Sequence, residues 1–174
     1  RGSRWVITEL PGHGYSPGRR GHCGNVELLD AVIANTIETI GGEPYGVMGH
    51  SMGGLLAARH LVLAGLGKLP APSFAWLSSP LLHPSHGRSA YYLKMIRFLA
   101  GWLPSLTVGT GVTPAMCRVK DDAGEAVESI EPKHQLWHAR VSVGWGGALF
   151  KFEGLVQDHI QTIPDHIPII YTQG

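Results

Sequence analysis

Apolar residues recur along this 174-residue chain in two alternating rhythms. Arg4 to Leu10 (RWVITEL) is short, β-branched and aromatic, and it stops at the turn-rich Pro11-Gly12-His13-Gly14, which predicts a strand. From Asn25 to Ile40 the period lengthens. Val26, Leu29, Val32, Ile33, Ile37 and Ile40 recur at helical spacing, Asn25 can cap the start and Gly41-Gly42 ends the run. Tyr45 to Met48 is a brief apolar run leading into Gly49-His50-Ser51-Met52-Gly53-Gly54. Leu55 to Leu66 is then rich in Ala and Leu, closed by Gly65 and Gly67, and Ser73 to Leu77 is strand-like again up to Ser78-Ser79-Pro80. Strands alternating with helical runs predict βαβ units and a mostly parallel sheet, an α/β fold.

From Leu81 the rhythm changes. Ala90 to Leu103 (AYYLKMIRFLAGWL) is apolar on nearly every face, with Lys94 and Arg97 as a thin polar stripe. Gly144 to Ile163 carries Leu149, Phe152, Leu155, Val156, Ile160 and Ile163 at helical spacing. A Gly/Thr/Pro-rich and then charged stretch, Ser105 to His138, lies between them. The pattern divides the chain into a core over residues 1–80, a mainly helical cap inserted over 81–163, and a return to the core over 164–174 through a last strand, Ile167 to Gly174. The chain opens on Arg1 without an initiator Met, signal segment or lipidation motif, and both ends read as cuts through a larger domain.

Composition narrows the function classes. Apolar residues make up 44% and charged residues 16%, which excludes disorder. Fourteen Lys+Arg against thirteen Asp+Glu, with no basic run longer than Arg19-Arg20, speak against a nucleic-acid partner. No apolar stretch approaches the roughly 18 residues of a membrane span. Cys23 and Cys117 cannot form a disulfide framework and read as reduced, part-buried thiols. A cytoplasmic setting is therefore expected.

The chemistry concentrates at Gly49-His50-Ser51-Met52-Gly53, a G-x-S-x-G pattern with an apolar strand before it and an Ala/Leu helix behind it. A serine on a sharp strand-to-helix turn has its hydroxyl pushed out above the sheet, and the small residues Gly49 and Gly53 avoid collisions with the neighbouring strand and helix. The same turn aims the first amides of the helix at that space, so the Met52 N–H is a ready donor for an oxyanion and Ser51 a candidate nucleophile. The competing reading is a glycine-rich turn whose serine merely caps the helix.

Taken in order, Gly12-His13-Gly14-Tyr15-Ser16, Gly18-Arg19-Arg20-Gly21-His22, the Gly49–Gly54 elbow and Leu77-Ser78-Ser79-Pro80 resemble the serine α/β-hydrolases of the monoacylglycerol lipase/lysophospholipase group, which is also filed with serine aminopeptidase-like hydrolases. The resemblance implies an α/β-hydrolase fold with an inserted helical cap after the Ser-Ser-Pro strand end, of which this chain is a central part. It also implies a catalytic acid a few residues beyond the last strand, a base near the end of the domain and a second oxyanion donor upstream of Arg4. Neither the Asp nor the His of such a triad is then present in this chain.

Local pairs do not replace them. Asp165-His166 precedes the last strand, whereas Ser51 follows a parallel one, so about 20 Å of strand separates the two edges. Asp158-His159 falls on the predicted cap helix, where adjacent side chains diverge. His13 and His22 either border the mouth of the site or hydrogen-bond loop backbone, and His50 points away from it. His83, His86, His134 and His138 lack metal-ligand spacing, so no metal is expected. Tyr91, Met95, Phe98 and Trp102, at i, i+4, i+7 and i+11, form a stripe for an acyl chain or for the core, while Leu93, Ile96 and Leu103 form a second.

The expectation is a serine ester hydrolase acting on a lipid-like ester, by resemblance a monoacylglycerol or lysophospholipid. It needs no cofactor and no stable protein partner, and its cap is open to peripheral membrane contact. An aminopeptidase, thioesterase or acyltransferase on the same fold, and a noncatalytic binding protein of that fold, are the alternatives.

Overall fold

Three parallel strands carry the alternating pattern into space. In this computed structural model, which describes residues 3–23, 25–83, 89–109, 119–120, 126–127 and 139–173, strands β1 (Gly46–His50) and β2 (Phe74–Ser78) pair in parallel, with His50 opposite Ser78. A last strand at Ile169–Thr172 pairs with the far side of β2 and sets Thr172 opposite Ser78. Helix α1 (Val26–Ile40) begins where Asn25 accepts a hydrogen bond from the Leu28 amide and ends at Gly41, whose φ of +74° only glycine adopts freely. Helix α2 (Met52–Gly65) starts three residues earlier than its Ala/Leu run, directly behind Ser51.

The chain between β2 and the last strand is not purely helical. Helix α3 (Ala90–Trp102) leads to β3 (Thr107–Gly109), the short β4 (Val119–Lys120) and β5 (Ala126–Val127) pair with each other, and β6 (Arg140–Ser142) pairs antiparallel with β3 before α4 (Val143–Gln157). The last strand is thus β7. The run Gly144–Ile163 does not stay helical: α4 ends at Gln157 and a separate 3-10 turn follows over Ile160–Thr162. Cys117, His86, His134 and His138 lie outside the described residues.

Helix α4 belongs to the main core. Its Trp145, Phe152 and Val156 are buried in one cluster with Val26, Leu29 and Ile33 of α1 and Leu55, Ala58 and Val62 of α2. Arg59 of α2 fastens the three helices. Its guanidinium is buried, binds the Asp30 carboxylate at 3.0 and 2.8 Å and lies 5.8 Å from the centre of the Phe152 ring. A smaller cluster of Leu61, Ala75 and Ile167 joins α2 to the sheet. The opposite sheet face leaves Met48, Phe74, Trp76 and Ile170 exposed.

Arg4–Leu10 forms no strand. It runs beside α1 through Arg4 to the Ile40 carbonyl (3.1 Å) and Thr8 to Thr36 (2.7 Å), with Leu10 buried and Trp5 and Ile7 exposed. Its β-branched and aromatic residues record a fit to a pleated surface, and a ladder needs a partner as well; none of the described residues provides one.

Candidate active site

Ser51 stands at the C-terminal edge of β1 with φ +53° and ψ −114°. These are the angles of the first central position of a type II′ turn, where a Cβ is strained and glycine prevails. The surroundings enforce them. The Ser51 N–H donates to the Ser78 carbonyl (2.9 Å), and the Ser51 carbonyl accepts from the amides of Leu55 (3.1 Å) and Leu81 (2.8 Å). The side chain makes no capping hydrogen bond, which sets aside the reading of Ser51 as a helix cap. Met52 is the first residue of α2, so its N–H has no acceptor within the helix and points with the positive end of the helix dipole.

The glycines around the serine divide the steric work differently from the motif. A Cβ on Gly49 would land on the Gly53 carbonyl and 2.6 Å from the Gly54 nitrogen, because the strand end and the first turn of α2 touch through their backbones. A Cβ on Gly54 would come within 2.8 Å of Pro80. A Cβ on Gly53 meets nothing within 4 Å. The close approach therefore needs Gly49 and Gly54, and the expected collision at Gly53 does not occur.

Neither local acid–histidine pair reaches the serine. Thr172 is level with His50 across the sheet, and Asp165 and His166 precede β7 at the opposite edge. Asp158 ends α4 rather than lying within it, and the His159 ring binds the Leu155 carbonyl (3.1 Å). Thr162 bonds back to the His159 carbonyl while packing against Gly65, at the far end of α2, about 20 Å down the helix from Ser51.

The histidines near the first loop hold the start of α4. His13 binds the Pro11 carbonyl (3.1 Å) and packs on Trp145, with ring centroids 5.2 Å apart. His22 binds the Ser142 hydroxyl (2.7 Å), which also accepts from the Trp145 amide and so caps α4, and the Ser142 N–H donates to the Gly21 carbonyl. His50 binds the Ser78 hydroxyl (3.1 Å). Among the described residues no three His, Cys, Asp or Glu side chains gather as a metal site.

Helix α3 presents its aromatic stripe outward. Tyr91 is 80% exposed, Phe98 63% and Trp102 76%, with Met95 between them and the Phe98 and Trp102 rings 6.0 Å apart. Ile96 is buried against Gly146 of α4, and Leu93 is half-buried. Leu103 does not share that second stripe, because the helix ends at Trp102 and Leu103 is exposed. A cleft of about 280 Å³ opens between the start of α1, α3 and α4, lined by Asn25, Glu27, Arg97 and Lys151 among others, and Ser51 does not line it. No described helix is long and apolar enough to cross a membrane.

What the motif did not single out is the Ser78–Leu81 turn, which grips Ser51 from β2. Its signal in the sequence was Ser-Ser-Pro directly after a strand, and Ser79 carries a positive φ of +39°.

Known proteins resemble this chain in sequence and in fold. An uncharacterised abhydrolase domain-containing protein of Dictyostelium discoideum is 35% identical over 136 residues, covering 76% of this chain, and the chain spans only 14% of that protein's length. A monoacylglycerol lipase from Paleococcus ferrophilus superposes with a TM-score of 0.73 at 23% identity, covering 95% of this chain and 72% of its own. A soluble variant of monoglyceride lipase from Saccharomyces cerevisiae, in complex with a substrate analog, superposes with a TM-score of 0.60 at 16% identity, covering 95% and 67%. At these identities the two structures speak for the fold, a parallel sheet flanked by helices. The family described as serine aminopeptidase, S33, matches residues 1–174, and the chain belongs to that family of α/β-hydrolases.

Proposed function

We propose that this segment carries the nucleophile and one oxyanion donor of a serine ester hydrolase whose substrate is a monoacylglycerol or lysophospholipid. The observation that carries the reading is the backbone of Ser51: a strained, triply hydrogen-bonded serine whose hydroxyl is not engaged in capping, directly before the free amide of Met52. Ser51 Oγ attacks the ester carbonyl as a histidine outside these residues takes its proton, and the Met52 N–H receives the oxyanion. The alcohol leaves, and water then releases the acid from the acyl-enzyme. The exposed stripe of α3 favours an acylated substrate and a peripheral contact with a lipid surface over a small polar peptide.

The test is made on the full-length polypeptide. A fluorophosphonate should label Ser51, and Ser51→Ala should abolish both the label and the turnover of p-nitrophenyl esters, with long acyl chains preferred to amino-acid arylamides. A label on another residue, or about a tenth of the turnover surviving in Ser51→Ala, would remove the reading, since losing a true nucleophile costs far more.

A further inference from the structure

We propose that the backbone N–H of Leu81 positions and polarises the oxyanion donor from behind; the proposal rests on Ser51 being the nucleophile. The Ser51 carbonyl and the Met52 N–H are the two ends of one peptide unit. That unit is planar and trans, so its C=O and N–H point in opposite directions, and whatever fixes the carbonyl fixes the aim of the amide. The carbonyl accepts from Leu55, as in any helix, and also from Leu81 at 2.8 Å, the shorter of the two bonds and the one contributed by another element.

The turn after β2 is shaped to deliver that amide. Its Ser78 carbonyl receives the Ser51 N–H (2.9 Å), so the turn holds Ser51 on both sides. Between the two contacts Ser79 takes a φ of +39° and donates its N–H to the Thr172 carbonyl of β7 (2.7 Å). Pro80, with φ fixed by its ring, sits against Gly54, where a Cβ would come within 2.8 Å of it. Ser51 and Ser79, both non-glycine residues at positive φ and on the two sides of this contact, keep such angles only where the surroundings over-determine them. Here β7 and the first turn of α2 do so together.

The chemical consequence follows from charge. As negative charge develops against the Met52 N–H, that amide is polarised and its carbonyl becomes a better acceptor, so the bond from Leu81 strengthens. An interaction stronger in the transition state than in the ground state raises kcat rather than lowering KM. Losing an oxyanion donor outright costs about 10²- to 10³-fold, and a neighbour in a hydrogen-bond chain strengthens a bond by about 10–30%, so Leu81 is worth about two- to eightfold in kcat.

The test replaces Leu81, in the full-length polypeptide, by its α-hydroxy acid analogue, which removes the N–H and keeps the side chain. The expected result is a kcat lower by about two- to eightfold with KM held within about twofold, and an equal loss of affinity for a trifluoromethyl ketone that forms the tetrahedral adduct. Leucine inserted by the same route restores both values. Gly54→Ala, which pushes Pro80 and the turn away, gives the same split between kcat and KM by an independent route. Unchanged kcat and ketone affinity in the Leu81 analogue, or a loss confined to KM or to the thermal midpoint, overturns the proposal. If Ser51→Ala keeps turnover, the nucleophile reading falls and the proposal with it; if Ser51→Ala is inactive and the Leu81 analogue behaves as wild type, the proposal alone falls.

Discussion

Replacing Ser51 by alanine and by glycine separates a strained nucleophile from a helix cap. With φ +53° and ψ −114°, the strain resides in the Cβ, which alanine keeps and glycine removes. Relief of such strain is worth about 1–3 kcal/mol, and glycine returns about 0.5–1 kcal/mol of backbone entropy to the unfolded chain, so Ser51→Gly should be more stable than wild type by roughly 0.5–2 kcal/mol. Since the hydroxyl makes no capping bond, Ser51→Ala should match wild type within about 0.5 kcal/mol, whereas loss of a true cap costs about 1 kcal/mol. Both variants should be catalytically dead. Urea unfolding of the three proteins, compared at equal m-value, gives the ladder. Wild type above both variants would mean that the serine serves the helix and that its backbone strain has been misjudged.

Three further outcomes are expected. Phe152→Ala, which empties a fully buried site shared by α1, α2 and α4, should lower stability by about 3–5 kcal/mol in a urea titration, and a loss under about 1 kcal/mol would mean that α4 is a detachable lid. Burial holds the His60 pKa below its ordinary 6.5, against the opposing pull of the Pro70 carbonyl, so the stability present above pH 6.5 is lost as pH falls towards the folded value. His60→Gln should flatten that slope, and an unchanged slope assigns it to another group. Phe98→Ser or Trp102→Ser in the full-length polypeptide should weaken kcat/KM for long-chain esters by tenfold or more relative to acetyl esters, each lost methylene contact being worth up to about 0.8 kcal/mol; equal losses would make the stripe irrelevant to the acyl chain.

The local grammar of the chain was readable because single residues carry it. Asn25 and Gly41 bound α1 as their chemistry requires, and the run into Gly49 placed Ser51 between a strand and a helix. Pairing was not readable. Arg4–Leu10 has the composition of a strand and lies along α1 instead, because a ladder depends on a partner that composition does not encode. Spacing also named the wrong glycine. G-x-S-x-G marks Gly53, while the atoms in contact make Gly54 the tight position, since Pro80, twenty-six residues on, is what it meets. The place of Trp145, Phe152 and Val156 was hidden for a similar reason: a helical apolar face is the same in the sequence whether it covers a cap or completes a core.

That placement decides how the aromatic stripe is presented. Helices α3 and α4 meet along a seam of small residues, where a Cβ on Gly147 would come 2.6 Å from that of Ala100 and one on Gly144 2.9 Å from the Pro104 carbonyl. The chain after α3 is tied to the start of α4 by hydrogen bonds from Gly144 to Pro104 (2.9 Å) and from Val143 to Leu106 (2.7 Å). Interiors packed this closely do not slide without losing contacts on both sides. Helix α3 is therefore carried by α4, and α4 is rooted by Phe152 and Val156 in the cluster that also holds Leu55, one helical turn beyond Ser51. Tyr91, Phe98 and Trp102 thus face outward at an angle fixed relative to Ser51. The residues that fix it, Gly144, Gly147 and Phe152, are not on the stripe at all.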